Sequence, residues 1–121
     1  MKALRTIIEE IKSYQKVMGY DNETMSPEEN LQALRNYVVA LMMEQAELLE
    51  EVSWKPWRKH EDQKPNPNRR KMALEWVDML FFLVDQMLCL GLTPDEVLSA
   101  YETKLEANHN RISNGYSKVK T

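Results

Sequence analysis

Two short stretches, Ser26-Pro27-Glu28-Glu29 and Thr93-Pro94-Asp95-Glu96, constrain the fold of this chain more than any other feature. Each has the order of a helix start. A hydroxyl side chain stands where it can accept a hydrogen bond from the amide three residues on, and the acid at that third position can close a capping box. Proline fills the first helical position, where its missing N–H costs nothing. Gly19 and Gly91 sit at the far ends of apolar runs and are natural stops. In front of the first start, Leu4, Ile7, Ile8, Ile11 and Tyr14 recur at helical spacing, with Gln15 on the polar face. The spacing predicts helices from about Lys2 to Met18, from Ser26 to about Val52, from about Arg70 to Leu90 and from Thr93 to about Ile112. The tail should leave the last helix near Gly115. With only 3 glycines and 43% hydrophobic residues, the expected class is all-α.

A length of 121 residues suits a single domain over 1–121, with a core small enough to profit from self-association. The net charge of −3 argues against a generic nucleic-acid or anionic-membrane binder, which carries a basic excess. The lone Cys89 rules out an intramolecular disulfide framework and fits a reducing cytoplasm. The opening MKALRTIIEEIKSYQ lacks the unbroken apolar core of a signal peptide, and the run MLFFLV is too short to cross a bilayer. His60 and His109 have no second histidine at a chelating offset and read as surface residues. The polar, proline-containing segment SWKPWRKHEDQKPNPNRR reads as a surface loop with aromatic anchors.

Against this pattern, Glu75, Asp78 and Asp85 interrupt the apolar stretch ALEWVDMLFFLVDQ. Residues three apart on a helix differ by ~60° in direction, so Glu75 and Asp78 share a face and Asp85 falls two turns further along it. The preceding helix carries a matching pair, Glu44 and Glu47, with Glu51 four beyond. If the two helices pack side by side, both pairs can face one cavity, where like charges demand raised pKa values or a counter-ion. Oxygen ligands without useful histidine or cysteine select Mg²⁺, or Mn²⁺ in its place, and such a site points to phosphoryl or pyrophosphoryl chemistry. Other readings stand beside this one. An E-x-x-E on a charged helix is also what a solvated face looks like, and acids in an apolar helix also serve helix pairing. Asp85 has no assignment.

Lys104, Asn108 and Arg111 follow at offsets of four and three on one face of the last helix, ahead of Gly115-Tyr116. They form either an anion-binding strip or a solvated helix end whose cations complement the macrodipole. Trp54-Lys55-Pro56-Trp57 is either a hydrophobic lid or a base-stacking ring beside a lysine that reads phosphate.

Taken together, E44-x-x-E47, W54-K55-P56-W57, E75-x-x-D78 with Phe82, and Y101-x-x-K104-x-x-x-N108-x-x-R111-x-x-x-G115-Y116 resemble the all-α dUTPase family. This is the dimeric type found in some phages, bacteria and protozoa, within the MazG-like nucleoside triphosphate pyrophosphohydrolases. Gln15 looks like that family's uracil-reading glutamine. The resemblance implies a four-to-five-helix bundle with its active site between helices, and hydrolysis of dUTP to dUMP and pyrophosphate. It implies that Glu44, Glu47, Glu75 and Asp78 hold Mg²⁺, with Glu47 and Glu44 as the catalytic acids and Glu47 the one that orients or deprotonates the attacking water. Lys55, Lys104, Arg111 and Tyr116 would hold the phosphates, and Gln15, Asn108 and Trp57 would contact base and sugar. A homodimer, or a pair of dimers, is the implied assembly. The chain departs from the family in carrying Ile112 where a glutamine often follows the arginine, and it is shorter than many members. A MazG-like enzyme acting on dCTP or a purine nucleotide therefore stays open as the alternative, with a non-catalytic helical oligomer behind it.

Overall fold

The computed structural model describes residues 1–52, 54–57 and 68–115, and His60 and Tyr116 lie outside them. The described residues form four helices in order: α1 Leu4–Val17, α2 Pro27–Glu51, α3 Arg69–Cys89 and α4 Pro94–Ser113. The described residues contain no strand, so the protein is all-α. Both expected starts are complete capping boxes. The Glu29 amide donates to Ser26 Oγ at 3.1 Å while the Ser26 amide donates to Glu29 Oε1 at 2.9 Å. Thr93 and Glu96 repeat the exchange at 3.1 Å in both directions. Helix α3 starts one residue earlier than expected, because Asn68 caps it by accepting from the Lys71 amide at 3.0 Å.

Gly19 and Gly91 terminate α1 and α3 in the left-handed region, at φ +94° and +70°. At the end of α1 the amide of Tyr20 donates to Gln15 O and that of Gly19 to Lys16 O, the paired bonds of a Schellman cap. The cap fixes Gln15 in the last full turn of α1.

The contacts divide the chain into two compact units, Met1–Gly91 and Leu92–Thr121. In the first unit α3 is central, packing against both α2 and α1. Its core consists of Ile8 and Ile11 from α1 with Met79, Val84 and Met87 from α3. Helix α2 contributes a half-buried stripe of Leu34, Tyr37, Leu41 and Leu48 at intervals of three, four and seven, the spacing of one helical face. The α1–α2 connection is tied down at both ends. Asn22 Nδ2 donates to Asn30 Oδ1 at 2.9 Å and to Cys89 Sγ at 3.4 Å, so one side chain joins the link to α2 and to the end of α3. Burial raises the Cys89 thiol above its ordinary pKa, consistent with a small core side chain. The second unit holds α4, with His109 exposed as expected. No single helix among the described residues is long and apolar enough to cross a membrane.

Candidate functional site

Helices α1, α2 and α3 enclose a cleft of about 690 Å³ lined by Glu10, Ile11, Tyr14, Gln15, Glu44, Asp78, Phe81, Phe82 and Asp85. It brings together two kinds of surface. Glu44 of α2 and Asp78 of α3 supply carboxylates, as the side-by-side packing of those helices requires. Phe81 and Phe82, on the next turn of α3, supply aromatic wall. Tyr14 meets Phe81 edge to face at 6.0 Å and 88°, and Tyr37 leans on Phe82 at 6.2 Å, which restrains both phenylalanine rings.

Around Glu44 the acids act on one another. Its pKa is raised first by burial and then by the carboxylates of Glu47, Asp78 and Glu75, so all four members of the expected cluster lie within electrostatic reach. One oxygen, Glu75 Oε2, is buried and accepts no hydrogen bond, a costly state for a carboxylate and one that a cation would relieve. The donor set is all oxygen, which suits a hard divalent ion. Among the described residues, however, no three acidic, histidine or cysteine side chains already stand together as a metal cluster. Glu44 and Asp78 line the cleft, and Glu47 and Glu75 are not among its lining residues.

Sequence reasoning missed a cation beside this group. Lys71 Nζ sits 2.7 Å from Glu51 Oε1. That hydrogen bond, then the charges of Glu51, Glu75 and Glu47, hold its ammonium above the ordinary lysine range. The signal is present in the spacing: Lys71, Glu75 and Asp78 fall at offsets of four and three on one helical face, and Glu44, Glu47 and Glu51 at offsets of three and four on α2.

At the other end of the cleft Asp85, left without a role by its sequence context, has one. It is 3% exposed and accepts a hydrogen bond of 2.7 Å from Gln15 Nε2, seventy residues away in the chain. Desolvation raises its pKa to about 6, opposed by the Gln15 bond. Its charge is felt by Tyr37, whose pKa burial and then Asp85 push up to about 12.

The remaining expected residues are distributed as follows. Trp54 and Trp57 pack edge to face at 5.6 Å, Lys55 Nζ lies 6.0 Å from the Trp54 ring centroid, and Trp54 Nε1 donates to Glu50 at 3.1 Å. Trp57 is 71% exposed, and neither it nor Lys55 lines the cleft. Lys104, Asn108 and Arg111 belong to the second unit. There Arg111 lines a separate hollow of about 560 Å³ with Ala107, Asn110, Asn114 and Gly115, while Lys104 and Asn108 are exposed on α4.

Comparison with known proteins bears directly on the first unit. The family model described as dUTPase matches residues 7–89 of the 121, which takes in the whole cleft and all four clustered acids. The Lys104-to-Tyr116 pattern lies beyond the match. No curated protein and no solved structure matches the chain. With more than half of its length matched and only helices among its described residues, the chain belongs to the dUTPase family, as an all-α, dUTPase-like nucleotide hydrolase.

Proposed function

We propose that the protein is a Mg²⁺-dependent dUTP diphosphatase, converting dUTP and water to dUMP and pyrophosphate. The observation that carries this reading is the shared cleft, in which Glu44 and Asp78 stand in one hollow with Gln15, Phe81 and Phe82. A nucleotide has the same polarity, with an anionic phosphate chain at one end and a flat base bearing hydrogen-bonding edges at the other. Phe81 and Phe82 offer stacking surface to a base, and the Gln15 amide offers it a donor and an acceptor.

Glu44, Glu47, Glu75 and Asp78 would hold the metal, and the unpartnered Glu75 oxygen supports that assignment. When bound, Mg²⁺ supplies positive charge against the phosphates and makes a water molecule easier to deprotonate. The chain's own part is to place and protonate correctly. Glu47 orients the water and accepts its proton as it attacks the α-phosphate, and Glu44, whose pKa burial and then the neighbouring carboxylates raise, stands beside it as the second catalytic acid. Lys55, Lys104, Arg111 and Tyr116 are proposed to hold the phosphate chain, so that the leaving pyrophosphate departs with its charge neutralised. Gln15, Asn108 and Trp57 are proposed to contact base and sugar.

The test is turnover of dUTP beside dCTP and the purine deoxynucleotides and ribonucleotides, with Mg²⁺ and with chelator. Preferred, metal-dependent turnover of dUTP is expected. Preference for dCTP or a purine nucleotide would move the protein to a related pyrophosphohydrolase. No turnover of any nucleotide, with a melting temperature indifferent to Mg²⁺, would make it a non-catalytic helical protein.

A further inference from the structure

A glutamine amide is an ambivalent reader. Its oxygen accepts and its nitrogen donates, and a half-turn about the last side-chain torsion exchanges the two. Presented freely to a pyrimidine, it would serve uracil equally well, with N3–H a donor beside the carbonyl O4, and cytosine, with N3 an acceptor beside the amino N4. Discrimination requires that something stop the half-turn.

Gln15 is stopped. An ionised carboxylate can only accept, so the Asp85 oxygen 2.7 Å away must face Nε2 and never Oε1. Asp85 is itself held on the central helix α3 and is almost wholly buried. The backbone of Gln15 is fixed by the Schellman cap that receives the Tyr20 amide at 2.8 Å. Gln15 Oε1, by contrast, takes no hydrogen bond from the described residues, and the residue lines the cleft. Two further features set Asp85 apart from an ordinary core acid. Its hydrogen bond goes to a cleft residue and not to a basic side chain, and it is the acid among the buried residues of α3, the others being Met79, Val84 and Met87.

We propose that Asp85 is the positioning residue for base selection. One N–H of Gln15 Nε2 goes to Asp85, so the amide is held with its carbonyl oxygen and its second N–H toward the cleft, an acceptor beside a donor. That order matches N3–H and O4 of uracil, and it meets N3 and the N4 amino group of cytosine acceptor to acceptor and donor to donor. This rests on reading the cleft as a nucleotide site, but it concerns binding and needs no catalysis.

The experiment is calorimetric binding of dUMP and of dCMP at pH 7.5, without metal, to the full-length protein and to Asp85→Asn and Asp85→Ala. Circular dichroism and thermal melting establish that each variant is folded. The wild type is expected to favour dUMP by on the order of tenfold, the equilibrium value of one hydrogen bond gained or lost. In Asp85→Asn, whose amide can face either atom of Gln15, the preference should fall to within about threefold, chiefly through tighter dCMP binding. Asp85→Ala should show the same loss, so a folding failure in one variant leaves the other to decide. A merely structural role would weaken both ligands together and keep their ratio. An unchanged ratio in the folded variants, or a wild type that binds the two ligands equally or binds neither, overturns the proposal. A wild type that discriminates and is relaxed by either variant, yet cleaves no nucleotide, sustains it while removing the pyrophosphatase reading.

Discussion

Asp85 carries a cost that its neighbours do not recover. A carboxyl whose pKa rises from 3.8 to about 6 on folding holds its proton more tightly in the native state than in the unfolded chain. Stability is therefore highest below pH 3.8 as far as this group is concerned, and it falls as the pH rises through 6. The loss amounts to roughly 2–3 kcal/mol at pH 7. Asp85→Asn should therefore raise the melting temperature at pH 7.5 by several degrees and flatten the decline in stability between pH 4 and 6. Melts across that range read both effects, and a variant less stable than the wild type at pH 7.5 would show that the native site favours the ionised form. Glu47 makes the complementary case among the clustered acids. Its charge adds to the repulsion that raises Glu44, so Glu47→Gln should leave the metal-free protein at least as stable. As the proposed base it should lower kcat by ~100-fold or more. Full activity in that variant would remove Glu47 from the reaction.

At the scale of elements, the helices owe their boundaries to local chemistry, which is why they were legible in the sequence. Ser26, Pro27 and Glu29 specify the start of α2 without help from the rest of the molecule, and Gly19 specifies the end of α1 by its φ of +94°. Ser26→Ala should cost about 1 kcal/mol in chemical denaturation, and a cost near zero would mean that tertiary packing alone holds that terminus. The start of α3 was less legible because asparagine at 68 caps a helix from within a polar, proline-containing loop that itself gives no periodic signal. Spacing alone put each acid pair on one face of its own helix, and made a shared cavity conditional on the two helices packing side by side. Neither the Gln15–Asp85 bond nor the Lys71–Glu51 pair could be read that way, since they join positions seventy and twenty residues apart, and helical periodicity says nothing about which turns of two helices meet. For the same reason the extra acid in the apolar stretch looked unexplained until α1 was seen against α3.

For the molecule as a whole, the outward face of α2 is unusually apolar. Val38, Val39, Met42 and Met43 are exposed at successive helical positions, the two methionines at 64% and 62%. Contiguous apolar surface of this kind marks an interface more often than a solvated face. A homodimer, the assembly that the family resemblance implies, is proposed to use this face, and sedimentation at micromolar concentration should then give twice the 14.3 kDa chain mass. A monomer at all concentrations would refute that assembly. The central claim is nevertheless chemical. The proposal is that the cleft of the first unit takes a deoxyuridine triphosphate by its base at Gln15 and that the bond broken is the one at the α-phosphate, beside the clustered acids. Phosphorus NMR of the products from dUTP, Mg²⁺ and oxygen-18 water tests it most directly. The account predicts equimolar dUMP and pyrophosphate with the heavy oxygen in dUMP, and release of orthophosphate, label in pyrophosphate, or intact dUTP would contradict it.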